Sequence, residues 1–315
     1  MSRVMTFYCF AGMRDLTLMR QRLEADAAAL ALKGTILLAE EGINGTLSGD
    51  EPALEAFAEK LGAIDGLADM PIKFSAAHPD NPVFYRLKVR IKPEIVALGQ
   101  PRARPAERTG EHVDAAAWNA LLDDPDVLVI DTRNDYEIGI GTFPGAVNPG
   151  TASFKQFPDF VAGLDPEARP RIAMFCTGGI RCEKASAYML DQGFAEVYQL
   201  DGGILRYLET VPEDENRWQG ECFVFDQRVS VDAELNEGTH RQCFACRRPL
   251  TPEEVSSPDY VVGVSCPKCI DEQTDTQRAG FAERQRQVSL AAERGEMHVG
   301  QRMTAADQGA SRGSR

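Results

Sequence analysis

The chain has 315 residues, 43% hydrophobic and 26% charged, with a formal net charge of −14. That is an ordinary globular balance, with room for two or three domains. No apolar run reaches the ~18 residues a membrane span needs. The opening MSRVMTFYCF lacks a long apolar core followed by a small-residue cleavage site, so a cytoplasmic protein with no membrane partner is expected. The acidic excess argues against an indiscriminate nucleic-acid binder. It is unevenly spread, with a net −2 over residues 1–100, −7 over 101–210 and −5 over 211–315. Any contact with a polyanion is therefore expected first in the N-terminal third.

In chain order, MTFYCF reads as a strand and LTLMRQRLEADAAALAL as a helix. KGTILLAEEGINGTLSGD reads as two strands around a turn-prone E-G-I-N-G, and EPALEAFAEKLGAI as a helix opened by Pro52. With MPIKFSAAH and VFYRLKVRIKPEIV as further extended segments, residues 1–98 follow a βαββαβ-like order, that of a ferredoxin-like sandwich. Within the last segment Arg86, Lys88, Arg90 and Lys92 alternate with Leu87, Val89 and Ile91, which places four charges on one strand face. Such a stripe is either a plain solvated face or a surface for RNA whose affinity falls with salt. EEGING (40–45) is likewise either a hairpin turn or a glycine-backed contact for phosphate or base.

Residues 99–111, GQPRARPAERTGE, are rich in Pro, Arg and Gly and read as a linker. From 112 to 212, strands (VLVID, RIAMF, EVYQL) alternate with helices (DAAAWNALLD, KASAYMLDQG), which calls for a parallel sheet covered on its faces. Residues 213–270 form a Cys-rich module, and 271–315 a polar tail. In that tail AGFAERQRQVSLAAERG is expected as a helix and TAADQGASRGSR as disordered. No internal repeat is visible.

The chemistry concentrates in MFCTGGIRCEKASAYML (174–190). A cysteine at a strand tip, on a glycine loop leading into a helix, receives converging N–H groups and the positive end of the helix dipole. Those stabilise a thiolate and lower a cysteine pKa from ~8.5 toward ~3.5–7.5. Cys176 occupies that tip, Thr177, Gly178 and Gly179 form the loop, Arg181 adds a fixed positive charge, and Cys182 falls in the first helical turn. Cys182 could resolve a persulfide on Cys176 or could simply pack. The C-x4-R spacing is one residue shorter than the C-x5-R of cysteine phosphatases, and the tighter cradle suits a sulfane sulfur better than a phosphoryl group.

The loop resembles that of the rhodanese family. LVIDTRNDYEIGIGTFPGAVNPG (128–150) is similar to the family's entry motif, with Gly141-Thr142 where many members have Gly-His, and VYQLDGGILRYL (197–208) to its closing strand and turn. The resemblance implies that Cys176 carries the sulfur, while Asp131 and Arg133 are expected to orient the loop through hydrogen bonds. With EEGINGTLSG and GECFVFDQRVSV (220–231), the match over residues 5–270 resembles the bacterial oxygen-dependent tRNA uridine hydroxylases. That resemblance implies a ferredoxin-like domain, a rhodanese domain and a Cys-rich tail, with tRNA as partner and molecular oxygen as co-substrate, converting the wobble uridine to 5-hydroxyuridine. The residues themselves carry no facial-triad, flavin or haem motif, and name no electron or sulfur donor. A sulfurtransferase, or a non-catalytic RNA- or protein-binding scaffold, remains an alternative.

Of eight cysteines, four form CFAC (Cys243, Cys246) and CPKC (Cys266, Cys269), 19 residues apart. C-x2-C-x19-C-x2-C fits a structural zinc ribbon with YVVGV as its strand, or else four reduced thiols or a redox pair. His240 is a weaker alternative ligand. Cys9 and Cys222, in apolar stretches, are expected in the core.

Overall fold

A computed structural model describes residues 2–76, 83–168 and 171–295. They fall into two compact units, 1–240 and 241–315. The first unit opens with β1 (Ser2–Phe10), α1 (Leu16–Ala29), β2 (Lys33–Ala39), β3 (Gly42–Asp50), α2 (Glu51–Gly62), β4 (Ile72–Ala76) and β5 (Leu87–Ile91). The strands make one sheet in the order β4-β1-β3-β2-β5. This is the expected βαββαβ sandwich, extended by β5, which runs parallel to β2 at the edge. Period-two alternation sends Met5, Phe7, Ile36 and Leu38 toward Leu23 and Ala27 of α1 and Leu54, Phe57 and Leu61 of α2.

The turn between β2 and β3 is Glu40–Glu41, not the E-G-I-N-G expected from the sequence, because Gly42 to Gly45 already belong to β3. A Cβ at Gly42 would stand 2.0 Å from the Cys9 carbonyl oxygen, so this glycine admits the neighbouring strand rather than making the turn. The register sets the other face of the sheet. Lys73 pairs with Thr6, Tyr8 with Asn44, Leu37 with both Asn44 and Arg90, and Thr35 with Lys88. Directly opposed residues share a side. Tyr8, Lys73, Lys88 and Arg90 therefore lie on the one face that the helices leave uncovered.

Residues 99–110 carry their own anchors. Ala103 is buried in the second core, Thr109 Oγ1 reaches the Glu183 carboxylate at 2.9 Å, and Gly110 N–H donates to Ser186 Oγ at 2.9 Å. The chain continues through β6 (Glu111–Val113), α3 (Ala115–Asp123), β7 (Leu128–Asp131), α4 (Asp135–Ile138), β8 (Gly141–Thr142), α5 (Phe157–Val161), β9 (Arg171–Phe175), α6 (Ile180–Asp191), β10 (Glu196–Leu200) and α7 (Gly203–Thr210). The parallel sheet runs β6-β10-β9-β7. One face packs on α5 and α6 through Ile172, Met174, Phe157 and Met189. The other packs on α3 and α7 through Phe175, Trp118, Ile204 and Tyr207. Around Phe143 the rings of Phe175, Tyr207 and Trp218 stand edge-on at 4.9–5.1 Å, the orientation favoured by the aromatic quadrupole. The unit closes with β11 (Gln219–Gly220), paired to β8, and the hairpin of β12 (Cys222–Phe223) and β13 (Ser230–Val231). Cys222 is buried in this core and Cys9 is half-buried against the first.

The second unit contains β14 (Arg241–Gln242), β15 (Pro249–Leu250), α8 (Pro252–Val255) and α9 (Asp275–Glu293). YVVGV is not a strand. Val261 bridges back to Ser265 around a turn with Gly263 at φ 73°, a backbone that a ribbon strand does not adopt. TAADQGASRGSR lies outside the described residues.

Candidate active site

Cys176 follows β9 directly, and its Sγ accepts the Gly179 N–H at 3.1 Å. The loop is held from below by α7, whose Ile204 and Leu205 N–H groups donate to the carbonyls of Cys176 and Thr177 at 3.0 and 3.1 Å. Gly179 turns the chain into α6 at φ 98°, a region that L side chains rarely adopt. Burial raises the Cys176 thiol pKa. The hydrogen bond from Cys182, the Arg181 guanidinium and the Cys182 and Arg181 backbone N–H groups outweigh it, and the thiol falls to about 5. Cys182 goes the other way, driven up by burial and by Cys176, with Thr132 Oγ1 3.6 Å from its sulfur. One thiolate is favoured, and it is Cys176. The residue is only 1% exposed.

Behind the loop lies an ion-pair chain that composition alone did not announce. Arg181 makes a two-armed pair with Glu137, Nη1–Oε2 2.6 Å and Nη2–Oε1 2.8 Å, and Glu137 has no exposure. Glu137 Oε2 also accepts the Asn134 N–H at the start of α4. Asp131 and Arg133 are paired through Nη2–Oδ2 at 2.6 Å, and Arg133 also donates to the carbonyls of Glu137 and Gly141. They brace the 131–142 segment and approach the reactive loop through Glu137 and through Phe175, which is opposite Asp131 in the sheet and under the Arg133 guanidinium at 5.8 Å. Thr177 hydrogen-bonds the Phe223 carbonyl at 3.4 Å. Gly178 completes the loop.

The N-terminal sheet contributes two side chains from its open face. Tyr8 Oη lies 3.4 Å from Glu183 Oε1, and a Cβ at Gly179 would stand 2.7 Å from that hydroxyl. Burial, then the charges of Glu183 and Cys176, raise the Tyr8 phenol well above its ordinary range. Lys73 Nζ donates to the Gly202 carbonyl at 2.9 Å. Glu183 is a hub, with His112 Nε2 at 2.9 Å, Thr109 Oγ1 at 2.9 Å and Gln199 Nε2 at 3.2 Å. Burial raises its pKa, but these donors together bring it below the ordinary carboxylate value. Lys184, nearly inaccessible, pairs with Glu94 and with Glu41 at 2.8 Å. Glu41 also accepts the Ile95 N–H at 2.7 Å, so EEGING serves the junction between the first sheet and α6. No sequence signal marks Tyr8, Lys73 or Glu183, because Tyr8 meets Glu183 across 175 positions, Lys73 meets Gly202 across 129, and Glu183 gathers Thr109 and His112 from 74 and 71 positions away.

Of the four basic residues, Lys88 and Arg90 lie within β5, and Arg86 and Lys92 flank it. Arg86, Arg90 and Lys92 are exposed and Lys88 half-buried, with the Lys88 pKa lowered by burial and then by Arg86 and Arg90. In the second unit Cys243, Cys246, Cys266 and Cys269 place their sulfurs within 4.8 Å of one another. Cys246–Cys266 is 3.8 Å and Cys266–Cys269 3.5 Å. Tetrahedral Zn–S bonds of ~2.3 Å imply sulfur separations near ~3.8 Å, so the donor set fits a thiolate-bound ion. Gln273 Nε2 donates to Cys269 Sγ at 3.0 Å, as an outer partner of such a ligand would. His240 is instead engaged by Glu221 at 2.6 Å and is outside the four-sulfur cluster.

A strand-tip thiolate under the N-terminus of a helix, on a four-stranded parallel sheet, defines a rhodanese-class protein with an added α/β sandwich. Two family models agree, the UPF0176 acylphosphatase like domain over residues 2–95 and the rhodanese-like domain over 114–210. The tRNA uridine(34) hydroxylase of Mesorhizobium japonicum is 53% identical over 300 residues, covering 95% of this chain and 96% of that one. The chain belongs to the tRNA uridine(34) hydroxylase family. Among solved structures, an Anabaena rhodanese-like domain is 19% identical, with 36% of this chain and 80% of that one covered and a TM-score of 0.28. Bacillus subtilis acylphosphatase is 17% identical, with 29% and 99% covered and a TM-score of 0.23.

Proposed function

We propose that this protein hydroxylates the wobble uridine of tRNA to 5-hydroxyuridine with molecular oxygen, working through Cys176 as a thiolate or persulfide. The observation that carries this is the Cys176 sulfur at the end of β9, which accepts the Gly179 N–H at 3.1 Å and is overlooked by one face of the N-terminal sheet. Inserting one oxygen atom into the C5–H bond leaves the other to become water, which takes two electrons and two protons from an external donor. A sulfane sulfur reaches Cys176 when the thiolate attacks a donor's S–S bond and the leaving group departs with the electron pair, as sulfite does from thiosulfate. The outer sulfur then stands ~2 Å beyond the buried Sγ. Cys182 resolves that persulfide by attacking Sγ of Cys176, forming the Cys176–Cys182 disulfide as the outer sulfur leaves as hydrosulfide, and Arg181 keeps the persulfide anionic.

The tRNA is held on the open face of the N-terminal sheet. Arg86, Lys88, Arg90 and Lys92 contact phosphates at one edge, and the same face reaches the loop at Tyr8 and Lys73. The second unit is stabilised by one structural zinc ion on Cys243, Cys246, Cys266 and Cys269. No described helix is long and apolar enough to cross a membrane, and we place the protein in the cytoplasm with its substrate. The test is mass spectrometry of tRNA nucleosides from a deletion strain carrying the wild-type or the Cys176→Ser gene. Loss of 5-hydroxyuridine derivatives in the Ser strain supports the proposal. Loss of a thiolated nucleoside would instead mark a sulfurtransferase, and no change a scaffold.

A further inference from the structure

The segment GECFVFDQRVSV leaves one large aromatic side chain outside the fold. Phe225 is 63% exposed, while its neighbours Phe223, Val224 and Val229 are all buried. A lone exposed apolar residue is unremarkable in itself. This one is held in place. Its ring meets Phe223 edge-on at 5.2 Å, and Phe223 meets Tyr136 in the same way at 5.3 Å. The turn that carries it is closed by Val224 N–H to the Val229 carbonyl at 2.9 Å and by a two-armed Asp226–Arg228 pair. Val229 sits at φ 67°, a costly conformation for a β-branched residue that persists only where its surroundings over-determine it.

The turn is also tied to the reactive loop. The Phe223 carbonyl accepts the Thr177 hydroxyl, and the Arg181 guanidinium carbon lies 5.8 Å from the Phe225 ring centroid. A rigid, solvent-facing ring beside a reactive thiolate has the chemistry of a stacking platform. Aromatic side chains hold unpaired nucleobases in this way, each stacked base contributing about 1–3 kcal/mol.

Resting on the tRNA-hydroxylase reading above, we propose that Phe225 is the platform on which the target pyrimidine of the RNA stacks while Cys176 acts on it. The ring supplies the flat apolar face and Arg181 the adjoining cation. Any unpaired pyrimidine would stack here, so Phe225 positions the base and leaves its identity to other contacts.

The experiment is a cycle of two proteins and two RNAs. A synthetic anticodon stem-loop with uridine at the wobble position, and the same RNA with an abasic site there, are titrated against wild-type and Phe225→Ala protein. Wild type is expected to favour the uridine RNA by about 5- to 140-fold. Phe225→Ala should erase that preference, and Phe225→Tyr should restore it. Leu18→Ala, also an exposed apolar position, should leave it intact. Wild type that binds neither RNA refutes the functional reading itself. If wild type prefers uridine and Phe225→Ala prefers it equally, the platform serves another occupant and this inference is wrong. Equal binding of the two RNAs by wild type overturns it as well.

Discussion

Glu137→Gln is the sharpest test of how the reactive loop is held. The substitution keeps the side-chain shape and an oxygen for the Asn134 N–H, but leaves the Arg181 guanidinium facing a neutral amide. Both arms of the pair are short, at 2.6 and 2.8 Å, with Glu137 fully buried and the Arg181 side chain 8% exposed. Removing one partner from a buried pair costs about 3–5 kcal/mol, because the remaining charge has no compensation. For a unit the size of residues 1–240, each kcal/mol moves the melting temperature by roughly 2–4 °C, so a fall of roughly 6–20 °C is expected. Arg181→Met should cost a similar amount, since it strands the carboxylate. The double variant should be clearly more stable than the sum of the two losses predicts. Thermal melts followed by far-UV circular dichroism measure all four proteins. If Glu137→Gln shifts the melt by less than about 2 °C, or if the two losses simply add, the pair is not what anchors Arg181.

Three further outcomes follow from the same structure. Iodoacetamide should label Cys176 at a rate that is flat between about pH 6.5 and 8 and falls as the pH drops through about 5, because the folded thiol is already ionised above that value. Cys176→Ser should abolish this labelling and the modification of tRNA, whereas Cys182→Ser should keep a measurable part of both. A rate still climbing tenfold per pH unit at pH 7, or a dead Cys182→Ser beside an active Cys176→Ser, would reverse the assignment of the nucleophile. Purified protein should carry close to one zinc per chain, released by mercurials, and Cys266→Ala should lower its thermal stability. Metal-free protein of equal stability would remove the zinc site. Changing Lys88 and Arg90 to Ala should weaken tRNA binding and flatten its salt dependence by about one unit per lost phosphate contact. Unchanged affinity and slope would return the stripe to a solvated strand face.

How much of this could be read in advance depends on the range of the interactions. The strand–loop–helix around Cys176 was legible because its determinants are local: an apolar strand, a glycine where φ is positive, and a helix start within four residues. The βαββαβ order and the two C-x-x-C pairs were legible for the same reason, since period and spacing are properties of short segments. Glu137 was half-visible as the acid of the entry motif, but the carboxylate finds Arg181 only when β7 and β9 lie side by side in the sheet. E-G-I-N-G was misplaced as a turn because glycine permits both a tight bend and a close strand approach, and only the neighbouring Cys9 carbonyl decides between them. YVVGV looked like a strand because β-branched residues favour one, yet among the described residues its pairing is the single Val261–Ser265 bridge across its own turn. Tyr8, Lys73 and Glu183 had no signature at all. Their roles arise where the open face of one sheet meets the loop of another, a junction fixed by the burial and pairing of groups that the chain brings together only after it has folded.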